Sequence, residues 1–199
     1  MTIAVTGPFA SGKSTFVRLL GELGAETVSA DEIVHDLLAE DRTAISRVVE
    51  RFGGDVRGER GVNRRALGRK VFGDPEALRD LEDILHPLVR RETQRRIAVS
   101  EAGLFVAEVP LLFEGGSGAD YDYTVAVVVP ERRRRAWAAE RGVDEAALMA
   151  IETRQLPQEE KARRADIVVQ NDGDVDKLKK QAEELEARSL GGSVFEQEE

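Results

Sequence analysis

Residues 7–14 read Gly-Pro-Phe-Ala-Ser-Gly-Lys-Ser, which is G-x-x-x-x-G-K-[ST] spacing. Ile3, Ala4 and Val5 ahead of it form a short apolar run suited to a buried strand, and Phe16, Leu19, Leu20 and Leu23 behind it recur at helical spacing. Strand, glycine loop and helix in that order are the context a phosphate cradle requires. Glycines let successive backbone N–H groups turn inward around an anion with no Cβ in the way. The helix that follows adds the positive end of its dipole. Lys13 brings a point charge for terminal phosphates and Ser14 a hydroxyl that can ligate Mg²⁺. The plain alternative is a strand-to-helix turn whose lysine is only solvated. The stretch reads as a nucleoside triphosphate site.

Beyond the loop, strand and helix patterns alternate. A short strand is expected near 27–29 and a helix from 31 to 39, followed by a mostly helical stretch over 42–100 with turns near 53–61 and 73–75. Leu78, Leu81, Leu85 and Leu88 mark one apolar face there, which Pro87 is expected to interrupt or kink. Strands follow at 104–109, 124–129 and 167–169, and helices at 131–141, 144–155, 159–164 and 175–188. Strands separated by helices imply a parallel sheet covered on both faces. Two helical stretches exceed a simple crossover: one near 40–95 has the size of a substrate-binding insert, one near 131–164 that of a lid. This is the plan of a small-molecule kinase, because phosphoryl transfer must exclude water.

A chain of 199 residues suffices for one domain with inserts. The net charge of −9 argues against a general nucleic-acid binder, and the apolar runs are too short for a membrane span. With no cysteine there is no disulfide or thiolate chemistry, which suits the cytoplasm, and the glycine loop starts too early for a signal peptide to be expected. Basic residues concentrate at 132–135 and acidic ones after 174, so a phosphorylated small molecule fits better than a polyanion.

Several other groups are chemically interesting. Asp31 opens the helix after the second strand, as a reactive acid in the crevice or as a helix N-cap. Glu108, near a strand end, suits either the Mg²⁺ shell or a backbone hydrogen bond, and Glu114 just beyond reads as a loop residue. His86 is a packed or surface histidine, or an acid or base. Arginines 132–135, 141, 154, 163 and 164 form a solvated face or a phosphate-neutralising set. Arg154, three after Ile151 and seven after Ala147, is expected on the inner side of its helix.

Together these residues resemble the dephospho-coenzyme A kinase family from the glycine loop to about Leu178. The resemblance rests on separated blocks in order: TGPFASGKST, VSADEIVHDLL, NRRALGRKVFGDPEALRDLEDILHPLVRRE, EVPLLFE and RQLPQEEKARRADIVVQNDG. It implies a P-loop NTPase-type three-layer α/β/α fold with a parallel sheet of about five strands, a helical substrate-binding insert and a helical lid. It implies a single kinase domain: core near 1–40, 100–130 and 165–190, coenzyme-binding insert near 41–99, lid near 131–164, and a flexible tail at 191–199. The implied reaction transfers the ATP γ-phosphoryl group to the ribose 3′-hydroxyl of dephospho-CoA, with Mg²⁺.

By the same resemblance Asp31, Lys13, Arg141 and Arg154 are catalytic. Gly7, Pro8, Phe9, Ala10, Ser11, Gly12, Lys13, Ser14, Thr15, Asn171 and Gly173 bind ATP. Asp31, Arg64, His86, Pro110 and Leu111 bind the acceptor, and Ser14 and Glu108 hold the metal. Phe72 and Leu81 match further fixed points of the insert. Its partners are small molecules, with no nucleic acid, membrane or obligate protein partner expected.

Three positions depart from the family pattern. Ala10 stands where a glycine is usual, so a positive φ there strains it. Ser29 replaces an acid two residues before Asp31, and the arginines after Pro130 fit two registers, one through Arg135 and one through Arg141. Among rivals, another small-molecule kinase acting on nucleosides or nucleotides is the nearest. A hydrolysing switch lacks its N-K-x-D segment and a transporter ATPase its signature loop. An inert phosphate-binding module would leave Asp31, Glu108 and the arginines unused.

Overall fold

The computed structural model describes residues 1–190; the expected tail at 191–199 lies outside them. Five strands, β1 (Thr2–Thr6), β2 (Glu26–Ser29), β3 (Phe105–Glu108), β4 (Tyr123–Val128) and β5 (Ile167–Gln170), form one sheet in the order β2-β3-β1-β4-β5. The central strand β1 pairs in parallel with β3 and β4, and β4 with β5. Nine helices among the described residues connect them: α1 (Lys13–Glu22), α2 (Ala30–Glu40), α3 (Arg42–Phe52), α4 (Arg64–Val71), α5 (Pro75–Val99), α6 (Glu131–Glu140), α7 (Glu145–Glu152), α8 (Gln158–Arg164) and α9 (Val175–Leu190). This is the expected parallel α/β architecture. Among the described residues, no helix is long and apolar enough to cross a membrane.

The chain forms two compact units, Met1–Val28 with the chain from Ser100 onward, and Ser29–Val99. In the first, the period-two alternation of the strands sorts their side chains. Ile3, Val5, Val106, Val125 and Val127 are buried with Phe16 and Leu20 of α1 and Leu178 and Leu185 of α9. The residues between them are small: Ala4 stands in register with Ala107, and Ala126 with Thr6. Small side chains let α8 pack closely against β4 on that second face.

The second unit holds α2–α5. Residues 30–40 were expected with the sheet core, but α2 instead packs against α3 and α5. Its apolar stripe explains this, since Ile33, Leu37 and Leu38 are all buried there. Asp41 ends α2 and caps α3, accepting from Ala44 N at 2.7 Å, and Asn63 caps α4, accepting from Ala66 N at 3.1 Å. Pro87 does not interrupt α5, which runs from Pro75 to Val99. Asp83, whose carbonyl the missing N–H would have met, is exposed like Pro87 itself, so the lost bond falls on the solvent side. The apolar face of α5 is narrower than expected: Leu85 and Leu88 are buried, whereas Leu78 and Leu81 are half-buried.

Candidate functional site

The glycine loop joins β1 to α1, and its close contacts explain its glycines. A Cβ on Gly7 (φ 147°) would lie 2.4 Å from Val127 O, and one on Gly12 (φ 87°) 2.1 Å from Asn171 Nδ2. Lys13 is not a solvated lysine. It is 7% exposed, and its Nζ donates to Pro8 O at 2.8 Å inside the loop. The Ser11 hydroxyl is buried without a hydrogen-bond partner, and Asn171 Nδ2 donates to Ser11 O at 2.8 Å. Asn171, just beyond β5, is thereby held against the loop and buried.

Ala10 has φ 60°, the only positive value at a non-glycine residue among the described residues, so the expected strain is present. Its methyl is buried with Ala138 of α6 and Leu148 of α7, with Phe9, Trp137 and Val143 packed around them. That packing offsets strain that an exposed alanine would carry uncompensated.

Ser14, in the first turn of α1, donates from Oγ to Glu108 Oε1 at 2.9 Å. Strand order brings this about, because β3 lies beside β1 with Glu108 opposite Val5. A hydroxyl next to a carboxylate is a hard-oxygen donor set of the kind Mg²⁺ accepts. Among the described residues no group of three or more His, Asp or Glu could hold a metal alone. Magnesium in kinase sites takes few protein ligands and completes its shell with phosphates and water, so this pair fits it.

Pro110 and Leu111 follow at the exit of β3. Pro110 O accepts from Thr6 Oγ1 at 3.2 Å and from Lys161 Nζ at 2.7 Å.

The arginines separate into distinct environments. Arg135 pairs with Glu131 and Glu145, whereas Arg141 lies with Cζ 5.8 Å from the Phe9 ring centroid. Of the two registers, Arg141 is the one brought to the glycine loop. Arg134, read only as part of a run, is buried between Glu131 and Glu152 and ties α6 to α7. Arg133, likewise read only as part of that run, has its Cζ 5.8 Å from the Trp137 ring centroid, where it would be 2.7 Å from a Cβ on Gly173 (φ 94°). Its i,i+4 spacing to Trp137 was the available signal.

Arg154 is not on the inner side of a helix. Helix α7 ends at Glu152, and the tightened bonds Arg154 N to Ile151 O (3.2 Å) and Gln155 N to Glu152 O (3.0 Å) carry the chain into a turn. Leu156, directly before Pro157, disfavours helix, so α7 could not have run on into α8. Arg154 is exposed in this turn, and next to it Gln155 Oε1 accepts from Phe9 N at 2.9 Å.

In the unit spanning 29–99, Asp31 is not the N-cap. Ser29 is, its Oγ accepting from Asp31 N at 3.2 Å, so Asp31 stands exposed in the first turn of α2. This gives Ser29 a structural task in place of the acid it replaces. Arg64 opens α4 with Nη1 2.6 Å from His35 Nδ1, so His35 contributes to the setting of Arg64, a contact with no signal in local spacing. His86 is exposed, and Phe72 is 89% exposed at the end of α4.

The family model described as dephospho-CoA kinase matches residues 1–177. A dephospho-CoA kinase of Anaeromyxobacter dehalogenans is 40% identical over 195 residues, 96% of this chain and 92% of that protein. One from Syntrophotalea carbinolica is 35% identical over 197 residues, 96% of this chain and 93% of the relative. A crystal structure from Thermus thermophilus is similar at TM-score 0.79 and 34% identity, covering 94% of this chain and 97% of that one. The dephospho-CoA kinase of Campylobacter jejuni has TM-score 0.71 at 26% identity, with 96% and 98% covered.

Proposed function

The chain belongs to the dephospho-CoA kinase family, and on that premise we propose that this ATP-dependent kinase phosphorylates the ribose 3′-hydroxyl of dephospho-CoA in the final step of coenzyme A synthesis. The observation that supports this chemistry is the Ser14–Glu108 hydrogen bond beside the glycine loop, a hydroxyl and a carboxylate that would suit the metal of a bound triphosphate.

In this reading the loop backbone and Lys13 bind the phosphates, and charge developing on the transferring group is met by Lys13, Arg141 and Arg154. Arg141 is favoured by its place over Phe9. Asn171, Gly173 and Arg133 form the adenine side. Ser14 and Glu108 would hold Mg²⁺, which when bound neutralises charge on the terminal phosphates. The acceptor oxygen forms its bond to the γ-phosphorus as the bond from that phosphorus to the bridging oxygen of ADP breaks. Asp31 takes the hydroxyl proton, a role supported by the family resemblance and by its freedom from capping duty. Arg64, His86, Pro110 and Leu111 serve the acceptor. Residues 41–99 act as the coenzyme-binding insert and 131–164 as a lid that excludes water. A cytoplasmic setting, with no nucleic acid and no obligate protein partner, completes the proposal; the net charge of −9 disfavours nucleic acid, and the lack of cysteine suits the cytoplasm.

The test is an ATP-coupled assay on dephospho-CoA, adenosine and shikimate in parallel. Turnover of dephospho-CoA well above both others is expected. Equal or better turnover of adenosine would assign the chain to a different acceptor.

A further inference from the structure

Lys161 of α8 has 0% of its surface exposed, although lysine is ordinarily left at the surface. Its ammonium donates to Pro110 O at 2.7 Å and to Thr6 Oγ1 at 3.4 Å, and lies 2.8 Å from Glu114 Oε1. Glu114 Oε1 also accepts from Leu156 N at 2.7 Å. The chain therefore carries a buried ion pair with one hand on each of two segments. Through Pro110 it holds the exit of β3, two residues past Glu108. Through Leu156 it holds the turn that presents Arg154 and Gln155, and Gln155 in turn accepts from Phe9 N of the glycine loop at 2.9 Å.

We propose that Lys161 and Glu114 are positioning residues that fix the Arg154–Leu156 turn relative to the β3 exit and the glycine loop. The proposal rests on the kinase reading only for what those segments do. Three observations carry it. First, α7 stops at Glu152 and Arg154 stands in the turn that follows, so the course of that turn, and not the helix, decides where Arg154 is presented. Second, Glu114 captures the backbone N–H directly after the Arg154–Gln155 pair, a bond that sets chain direction as well as position. Third, stability alone is a poor reason for the pair, since an apolar pair of similar volume often serves equally well or better. Burial, the largest influence, draws the Lys161 pKa below its ordinary value, and Glu114 opposes that shift. What the charges add over an apolar pair is directed capture of a carbonyl and an amide on two different segments.

The test compares the wild-type chain with the double variant Glu114→Leu/Lys161→Met, which replaces the ion pair with apolar volume. Melting temperature is expected within about 3 °C of wild type. Amide hydrogen exchange at Leu156 and Phe9 is expected to speed up at least about tenfold, with β1 and β4 amides unchanged. On dephospho-CoA, kcat is expected to fall at least about tenfold with the ATP KM within about twofold. A folded double variant with wild-type protection at Phe9 and Leu156 overturns the proposal. Should the double variant not fold, Glu114→Gln decides through Leu156 alone: its amide oxygen can still accept from Leu156 N, so Leu156 protection relative to the β1 and β4 amides is expected within about threefold of wild type, although Lys161 left without a countercharge lowers the melting temperature. Selective loss of Leu156 protection in a folded Glu114→Gln variant overturns the proposal. The exchange measurement needs no substrate, so it judges the pair even if wild type fails to phosphorylate dephospho-CoA, a failure that counts against the function alone.

Discussion

Ser14 Oγ donates to Glu108 Oε1 at 2.9 Å, joining residues 94 positions apart at the mouth of the glycine loop. The bond holds the hydroxyl in one orientation before any nucleotide arrives. A carboxylate in that place also adds a negative charge that favours a divalent cation.

Glu108→Gln should therefore separate metal affinity from folding. The amide oxygen still accepts from Ser14, so melting temperature should stay within about 1 °C. Turnover or Mg²⁺ affinity should fall about 10–100-fold, as it does when a metal-supporting partner loses its charge. A titration of activity against Mg²⁺ reads the effect, and chelation of the metal should abolish wild-type turnover. An unchanged Mg²⁺ midpoint with unchanged kcat would reduce Glu108 to a strand-end carboxylate.

Asp31 and Ser29 give opposite expectations from positions two residues apart. Because Ser29 is the cap, Asp31→Asn should leave melting temperature unchanged while kcat drops by ~10²–10⁴. The lower end is expected, because a loose phosphoryl-transfer transition state asks little of a base. Ser29→Ala should lose about 0.5–2 kcal/mol of stability and keep most of its kcat. Melting curves and kcat on dephospho-CoA for the two variants check both. A destabilised Asp31→Asn with normal kcat would return Asp31 to a structural role.

Ala10→Gly should be close to neutral in stability for a reason that can be checked. Removing the methyl relieves about 1–2 kcal/mol of left-handed strain. It also forfeits about 0.8 kcal/mol of buried methyl against Ala138 and Leu148, and adds backbone freedom to the unfolded chain of about 0.5–1 kcal/mol. The melting temperature should move by no more than about 3 °C. The ATP KM should rise modestly as the loop loses its contact with α6 and α7. A shift of more than twice that size in melting temperature would mean the strain and packing are not in balance.

Glu92 provides a pH-dependent test in the helical unit. Hydrogen bonds from Arg95 and then Arg96 outweigh burial and draw its carboxyl from 4.5 down to about 2. A folded value below the unfolded one means the stabilisation is full above about 4.5 and fades as pH falls toward about 2. Glu92→Gln should thus lower melting temperature by about 1–2 °C near pH 6, a small effect because solvent and salt screen such a pair. The variant and wild-type values should converge as pH approaches 2. Parallel curves down to that pH would show that the arginines do not hold Glu92 ionised.

The glycine loop, the alternation of strands and helices, and the family blocks all lie in local spacing, and local spacing is what an amino-acid sequence displays directly. Side-chain periods of two and 3.6 name an element and its buried face. They do not name the neighbour that covers it. The sequence could offer Ser14 and Glu108 only as separate candidates, because their meeting depends on β3 lying beside β1. The choice between Arg135 and Arg141 likewise waited on the glutamates that occupy Arg135 and the Phe9 ring beneath Arg141. Periodicity places Arg154 on an inner helix side only if α7 runs past Glu152, and the chain turns at Thr153 instead. The residues around Asp31 leave a cap and a reactive acid equally open, and only the bond from Asp31 N to Ser29 Oγ assigns the cap to Ser29. Nothing in the local spacing of EEKARR sets Lys161 apart from its charged neighbours. Only the tertiary structure buries it, because the alanines of β1, β3 and β4 leave room for α8 to come close, and a buried ammonium must then find Glu114 and Pro110.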